Sequence, residues 1–302
     1  MPKEFYSNGK LLLSGEYAVL DGALSLAIPT RYGQSLKVIT TDTGFLEWES
    51  LDENNSTWFK GRFDVKNLKT IDATDKSVSE TLVGLLTEAK SQNFQFLENS
   101  SGLKVETKLT FPRIWGLGTS STLINSIAQW AEVDAYRLLW NAFGGSGYDI
   151  ACAQHNRPIL YQKENNTTQV EEVTFQPSFA HSIYFVYLNQ KQSSKDAIST
   201  YRKQQFDMDG LITNVSTITK KMVHTATLSE FESLMLQHET LLSKVLGLKT
   251  VKSKLFPDFQ GAVKSLGAWG GDFIMVTGNK DVPGYFKAKG FETVIPYADM
   301  VL

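Results

Sequence analysis

The sequence has one cysteine in 302 residues, Cys152, so no disulfide within the chain can hold the fold. Cys152 follows Ile150 and Ala151 in a short apolar stretch, the setting of a buried structural thiol, and a lone thiol fits a reducing cytoplasm. Histidine is scarce too: the four are scattered, and none has the spacing of a metal-ligand pair. No stretch approaches the roughly 18 apolar residues of a spanning helix. Glu16 interrupts the apolar run between Leu11 and Leu20 before a secretory leader could form. A soluble cytoplasmic protein without a membrane partner is therefore expected. Charge of one sign is also missing. A formal net charge of −2 gives no global attraction to nucleic acid, so any phosphate site has to be built locally. Internal repeats and low-complexity tracts are absent.

What is present is an ordinary globular composition, 42% hydrophobic and 21% charged, over a length that suits two domains. Pattern and punctuation predict strands near 10–14, 23–29, 34–40 and 57–65, and a helix over 77–91. Helices follow to about 131, over 134–143 and over 148–154. A polar stretch at 163–172 reads as the approach to a second domain, dividing the chain into 1–165 and 166–302. Beyond it come a strand at 181–188, helices over 210–224, 228–246 and 251–266, and a strand at 273–277. A helix over 279–289 and a strand over 291–296 close the pattern. Strands and helices do not alternate regularly, so the fold class is α+β.

The most informative segment is Pro112 to Ser121, which follows the alternating run Leu103–Phe111 and leads into a helical pattern. Strand, glycine turn and helix N-terminus expose backbone N–H groups to an anion, aided by the helix dipole. Gly116 and Gly118 allow close approach, while Thr119, Ser120 and Ser121 offer hydroxyls to phosphate or magnesium. A glycine turn with Thr119 or Ser120 as an ordinary N-cap is the alternative. The segment lacks the Gly-Lys-Ser/Thr ending of a Walker loop and the spacing of a dinucleotide fold.

Four segments in order resemble the GHMP kinases, the family of galactokinase, homoserine kinase, mevalonate kinase and phosphomevalonate kinase. They are Asn8–Leu20, the turn 116–121, Gly145–Ala151 and Gly267–Asp272. The resemblance covers nearly the whole chain. It implies a two-domain α+β fold, an N-terminal half like the second domain of ribosomal protein S5 and a ferredoxin-like C-terminal half. It also implies ATP and Mg2+ as cofactors. Gly116, Leu117, Gly118, Thr119, Ser120 and Ser121 would line the phosphates, with Ser120 at the magnesium position. Lys10 matches the lysine beside the transferred phosphoryl group and Asp149 the acid facing the acceptor. Each has a plainer reading, Lys10 as a solvated strand-end lysine and Asp149 as a helix cap. Glu16, Tyr17, Ser146 and Gly147 match substrate-side positions. Gly267, Gly270, Gly271 and Asp272 form the third motif. There Trp269 replaces a usual glycine, which would be strained if that position required a positive φ. Glu132 and Asp134 do not stand where the family's magnesium glutamate is expected.

Gly15-Glu16-Tyr17-Ala18-Val19 and the loop bearing Lys191, Ser193 and Ser194 resemble phosphomevalonate kinase. Lysines and hydroxyls in that loop suit a phosphorylated acceptor. Leu20–Ala27 reads closer to mevalonate kinase, the second choice. A non-catalytic protein of the same fold that binds a metabolite and acts as a regulator is the reading from another class. The expected partner is a small molecule and not nucleic acid, and a homodimer is the expected assembly.

Overall fold

A computed structural model describes residues 2–165, 167–278 and 280–302, with the side chains of Ser194 and Lys195 outside the description. The chain opens with β1 (Lys3–Ser14), β2 (Ser25–Thr40), β3 (Phe45–Leu51), β4 (Thr57–Asp64) and β5 (Thr70–Ala73). Next come α1 (Lys76–Gln92), β6 (Leu103–Leu109), α2 (Thr119–Ala131), α3 (Ala135–Ala142) and α4 (Tyr148–Gln154). β7 (Ile159–Glu164), β8 (Thr167–Glu172), β9 (Ile183–Tyr187), α5 (Ser194–Arg202), α6 (Met208–His224) and α7 (Leu228–Leu246) follow. The chain closes with α8 (Val251–Leu255), β10 (Val263–Ser265), β11 (Phe273–Thr277), α9 (Val282–Ala288), β12 (Val294–Pro296) and α10 (Tyr297–Met300).

The contacts divide the chain into two interleaved units. The first holds Met1–Gly9, Tyr32–Arg113 and Leu117–Gln154; the second holds Lys10–Arg31, Ile114–Gly116 and His155–Leu302. This differs from a single cut at 165/166. The reason is strand pairing: β7 aligns Tyr161, Leu160 and Ile159 with Ser25, Leu26 and Ala27, drawing the early strand into the later unit. The polar stretch expected to be a linker is the β7–β8 hairpin.

In the first unit the strands run β5-β4-β3-β6 and then the Gln34–Thr40 half of β2. β3 pairs β6 in parallel, and the other pairs are antiparallel. Alternation puts Leu46, Trp48, Leu103 and Val105 on the buried face. They join Leu85 and Leu86 of α1, Ile127 of α2 and Leu138 of α3 in one core. In the second unit a four-stranded antiparallel sheet runs β10-β11-β9-β12. α6 and α7 bury Leu211, Val215, Leu242 and Leu246 against Tyr17, Ala18 and Tyr201.

One expected helix is much shorter than its pattern. The segment 251–266 is helical only to Leu255, because Pro257 drives Phe256 out of the helical region (φ −136°, ψ 47°). Residues 263–265 then form β10. At Gly261 an added Cβ would lie 1.6 Å from the Thr277 carbonyl oxygen, so the backbones pass too closely for any side chain.

Candidate active site

The residues singled out by sequence divide between the units. In the first, α2 is buried at Ile124, Ile127, Ala128 and Trp130, so core packing fixes where it starts. Leu117, just before it, is fully buried. Gly118 occupies the N-cap at φ 98°, a left-handed conformation that glycine adopts without penalty, and offers no side chain to the first-turn N–H groups. Other α-helices are closed by side chains. Asp75, Asp134, Ser193, Asp207, Thr227, Thr250 and Asp281 each accept a first-turn N–H. Among the described helices of eight residues or more, α2 alone lacks such a cap.

Its own hydroxyls do not fill the gap. Ser121 Oγ donates to the Gly118 carbonyl at 3.0 Å, and Thr122 Oγ1 donates to Gln34 Oε1 at 2.8 Å. Both therefore serve the fold. Thr119 is half-buried and Ser120 exposed on the bare first turn. Neither is the side-chain cap of the alternative reading. In the same unit Gly147 (φ 97°) accepts the N–H groups of Ile150 and Ala151 and so starts α4. Asp149 lies half-buried in the first turn of α4, and its Oδ1 accepts the Ile150 N–H at 3.1 Å. Ser146 is buried beside it.

The second unit holds Lys10, Gly116 and the third motif. Lys10 Nζ donates to the Gly116 carbonyl at 2.9 Å. Gly116 has φ 68°, and a Cβ there would lie 2.4 Å from a carboxylate oxygen of Asp272, so only glycine fits. Asp272 Oδ1 accepts the Gln192 N–H at 3.3 Å. Burial pushes its carboxyl above the usual range, while the charges of Lys10 and Lys191 pull it back. An ammonium and a carboxylate thus meet at one glycine. In the third motif the positive φ falls on Gly267, Gly270 and Asp272, not on Trp269. The tryptophan is unstrained; its backbone N–H donates to Tyr17 Oη at 2.9 Å and its ring N–H to the Lys249 carbonyl at 3.1 Å. Gly271 is required by contact, since a Cβ would meet Gln192 Cγ at 1.9 Å.

No protein-family model matches the sequence, and no curated protein matches it. Solved structures do. Methanococcus jannaschii mevalonate kinase superposes with a TM-score of 0.69 over 97% of this chain and 96% of its own, at 15% identity. Streptococcus pneumoniae phosphomevalonate kinase, solved with phosphomevalonate and AMPPNP, gives 0.69 over 98% and 96%, at 14% identity. Lactococcus lactis galactokinase, solved with galactose, gives 0.67 over 98% and 94%, at 12% identity. The fold is that of the GHMP kinases. Its neighbours act on unlike acceptors, so the GHMP kinase fold does not by itself name a substrate.

Several site positions have structural duties in this GHMP kinase fold. Ser193 Oγ caps α5, accepting the Asp196 N–H at 3.3 Å, and Lys191 is exposed. The Ser194 side chain lies outside the described residues. Glu16 is buried and paired with Lys264 Nζ, which also donates to the Ser265 carbonyl at 3.0 Å. Ser265 in turn donates its N–H to Glu239 Oε1 at 2.9 Å. His238 Nε2 accepts the Gly15 N–H at 3.1 Å. Its 3.2 Å approach to Glu16 Oε2 is not an ion pair. The ring nitrogen's lone pair is already used, and burial with the Lys264 charge keeps the imidazole neutral. Burial raises the Glu16 carboxyl against the pull of Lys264, and raises that of Glu239 to about 8.

Sequence reasoning missed Lys264, His238 and Glu239. A signal existed: His238 falls on the apolar register of Phe231, Met235 and Leu242, and Lys264 interrupts an apolar run directly before the third motif.

Among the described residues no three His, Cys, Asp or Glu side chains gather as a metal site. Asp134 spends its carboxylate on the N–H groups of Tyr136 and Arg137, and Glu132 forms the left-handed end of α2. The donors present fit a magnesium ion carried by phosphates and touched by one hydroxyl, which suits an ion that keeps much of its water. They do not fit a carboxylate cage.

Proposed function

We propose that this chain is an ATP-dependent kinase of the GHMP family, with 5-phosphomevalonate as its acceptor. The observation that carries this reading is the bare N-terminus of α2, in a chain that closes its other long helices with side-chain oxygens. Unpaired N–H groups and the positive end of a helix dipole recognise phosphate. The fold supports it, because a neighbour of the same fold was solved with the ATP analogue AMPPNP.

In this reading the N–H groups of residues 119–121 hold the nucleotide phosphates. The exposed Ser120 hydroxyl is the protein's ligand to magnesium, which supplies charge neutralisation at the phosphates when bound. Lys10 stabilises charge on the migrating phosphoryl group, oriented by the Gly116 carbonyl and balanced by Asp272. Phosphoryl transfer is chiefly positioning and electrostatics, so a fixed cation matters more than covalent chemistry. Asp149 faces the acceptor. The substrate-side roles of Tyr17, Ser146, Gly147 and Lys191 belong to the same proposal.

The acceptor is tested by pH. An alcohol such as that of mevalonate must lose a proton, for which a carboxylate base contributes about a hundredfold to ten-thousandfold. A phosphomonoester, with a second pKa of about 6, is already ionised at pH 8. With 5-phosphomevalonate, Asp149→Asn should therefore cost less kcat at pH 8 than at pH 5.5. An equal cost at both pH values contradicts acceptor ionisation as the cause. Turnover of mevalonate but not of its phosphate replaces the acceptor with the second choice. ATP-independent binding of metabolites, with no ADP formed from any acceptor, would favour the regulator instead.

A further inference from the structure

A cavity of about 540 Å³ opens in the second unit, and none of the residues assigned to phosphoryl transfer lines it. Its size falls in the range of small-molecule sites. Its apolar wall includes Val173, Phe175, Tyr297 and Val301, and its charged side chains are Arg31 and Arg157. The wall is fixed by hydrogen bonds: Tyr297 Oη donates to the Phe175 carbonyl, and Val173 N–H donates to the Pro158 carbonyl at 2.8 Å. Thr30 and Val301 form a bridge across the same region. The Tyr297 hydroxyl is thus committed to the wall, and burial pushes its pKa up.

The arginines distinguish this cavity. Elsewhere in the chain each guanidinium has a carboxylate or a ring. Arg62 pairs with Asp72 and Arg202 with Asp21, Arg113 lies over the Trp58 ring, and Arg137 lies near the Glu88 carboxylate. Arg31 is held only through Nε, which donates to the Ala298 carbonyl at 2.7 Å. Among the described residues neither Arg31 nor Arg157 has an acidic or aromatic partner. Guanidinium groups present planar donor pairs matched to carboxylate or phosphate.

We propose that this cavity is a second ligand site, which binds a small amphipathic anion with its carboxylate or phosphate head on Arg31 and Arg157 and its apolar body on the wall. The inference is independent of the kinase reading, because it concerns other residues.

The test is calorimetric titration with octyl phosphate and octanoate, beside inorganic phosphate and 1-octanol, on the wild type and the double variant Arg31→Gln/Arg157→Gln. Both arginines are exposed, so the variant should keep the wild-type Tm. At least one amphiphile should bind tighter than about 1 mM. Loss of the charge-assisted bonds should weaken it by about tenfold to a hundredfold in the double variant. The stronger of the two amphiphiles identifies the head group. Equal binding of 1-octanol, equal binding of inorganic phosphate, unchanged affinity in the variant, or no binding at all each overturns the proposal. Sedimentation in the same buffer covers the other occupant: a dimer that the double variant dissociates assigns the face to a second copy and overturns it too.

Discussion

Lys10 and Lys264 both belong to the second unit, and their surroundings could hardly differ more. Lys264 is fully buried, ion-paired with Glu16 and hydrogen-bonded to the Ser265 carbonyl. Lys10 is half-buried and donates to the carbonyl of Gly116, beside a carboxylate that burial has made a reluctant anion. A charge neutralised inside the protein serves folding, because leaving its partner unpaired is costly. In the proposed function, a charge held by a carbonyl dipole is the one that meets an incoming phosphate. The comparison teaches that position in a motif does not decide a lysine's work; the partner and the burial do.

Lys264→Met should break this contrast most strongly. It leaves the Glu16 carboxylate buried without its cation, and denaturant unfolding should show a loss of about 3–5 kcal/mol. The loss should be larger at pH 8 than at pH 5, where Glu16 can take up a proton. Ser120→Ala should be milder and should touch function alone. Removing one hydroxyl contact to a charged group costs about 1.5–3 kcal/mol, read as a fall in kcat/KM with magnesium ATP of about tenfold to a hundredfold at unchanged Tm. Glu239→Gln should act through pH dependence alone. The native carboxyl titrates near 8 against a reference of 4.5, so between those values the folded state holds a proton the unfolded chain has lost. Stability contributed by this group is present below pH 4.5 and lost as pH rises to 8. Unfolding curves across pH 5–8 should therefore be flatter for Glu239→Gln than for the wild type.

Much of this was legible in the sequence. The α+β class, α1, α6, α7 and the strand β11 follow from apolar spacing, and the glycine turn before α2 follows from Gly116 and Gly118. The hydroxyl duties were not legible. Ser121 and Thr122 turn inward while Ser120 does not, and that depends on which face of α2 the core claims. The interleaved units escaped as well, because the pairing of β2 with β7 joins residues more than a hundred positions apart. Pro257 announced the early end of α8, and the apolar residues beyond it concealed the warning. Trp269 looked like a strained substitution because the sequence does not say which third-motif residues carry positive φ; Gly267, Gly270 and Asp272 do.

The central claim is that Lys10 serves chemistry and not the fold. The most direct measurement takes kcat for ADP formation and the unfolding midpoint from the same preparations of wild type and Lys10→Met, with 5-phosphomevalonate and magnesium ATP. The account predicts a fall in kcat of about a hundredfold to a thousandfold with little change in KM for ATP and an unfolding midpoint close to that of the wild type. A variant that keeps its kcat and loses its stability would contradict it.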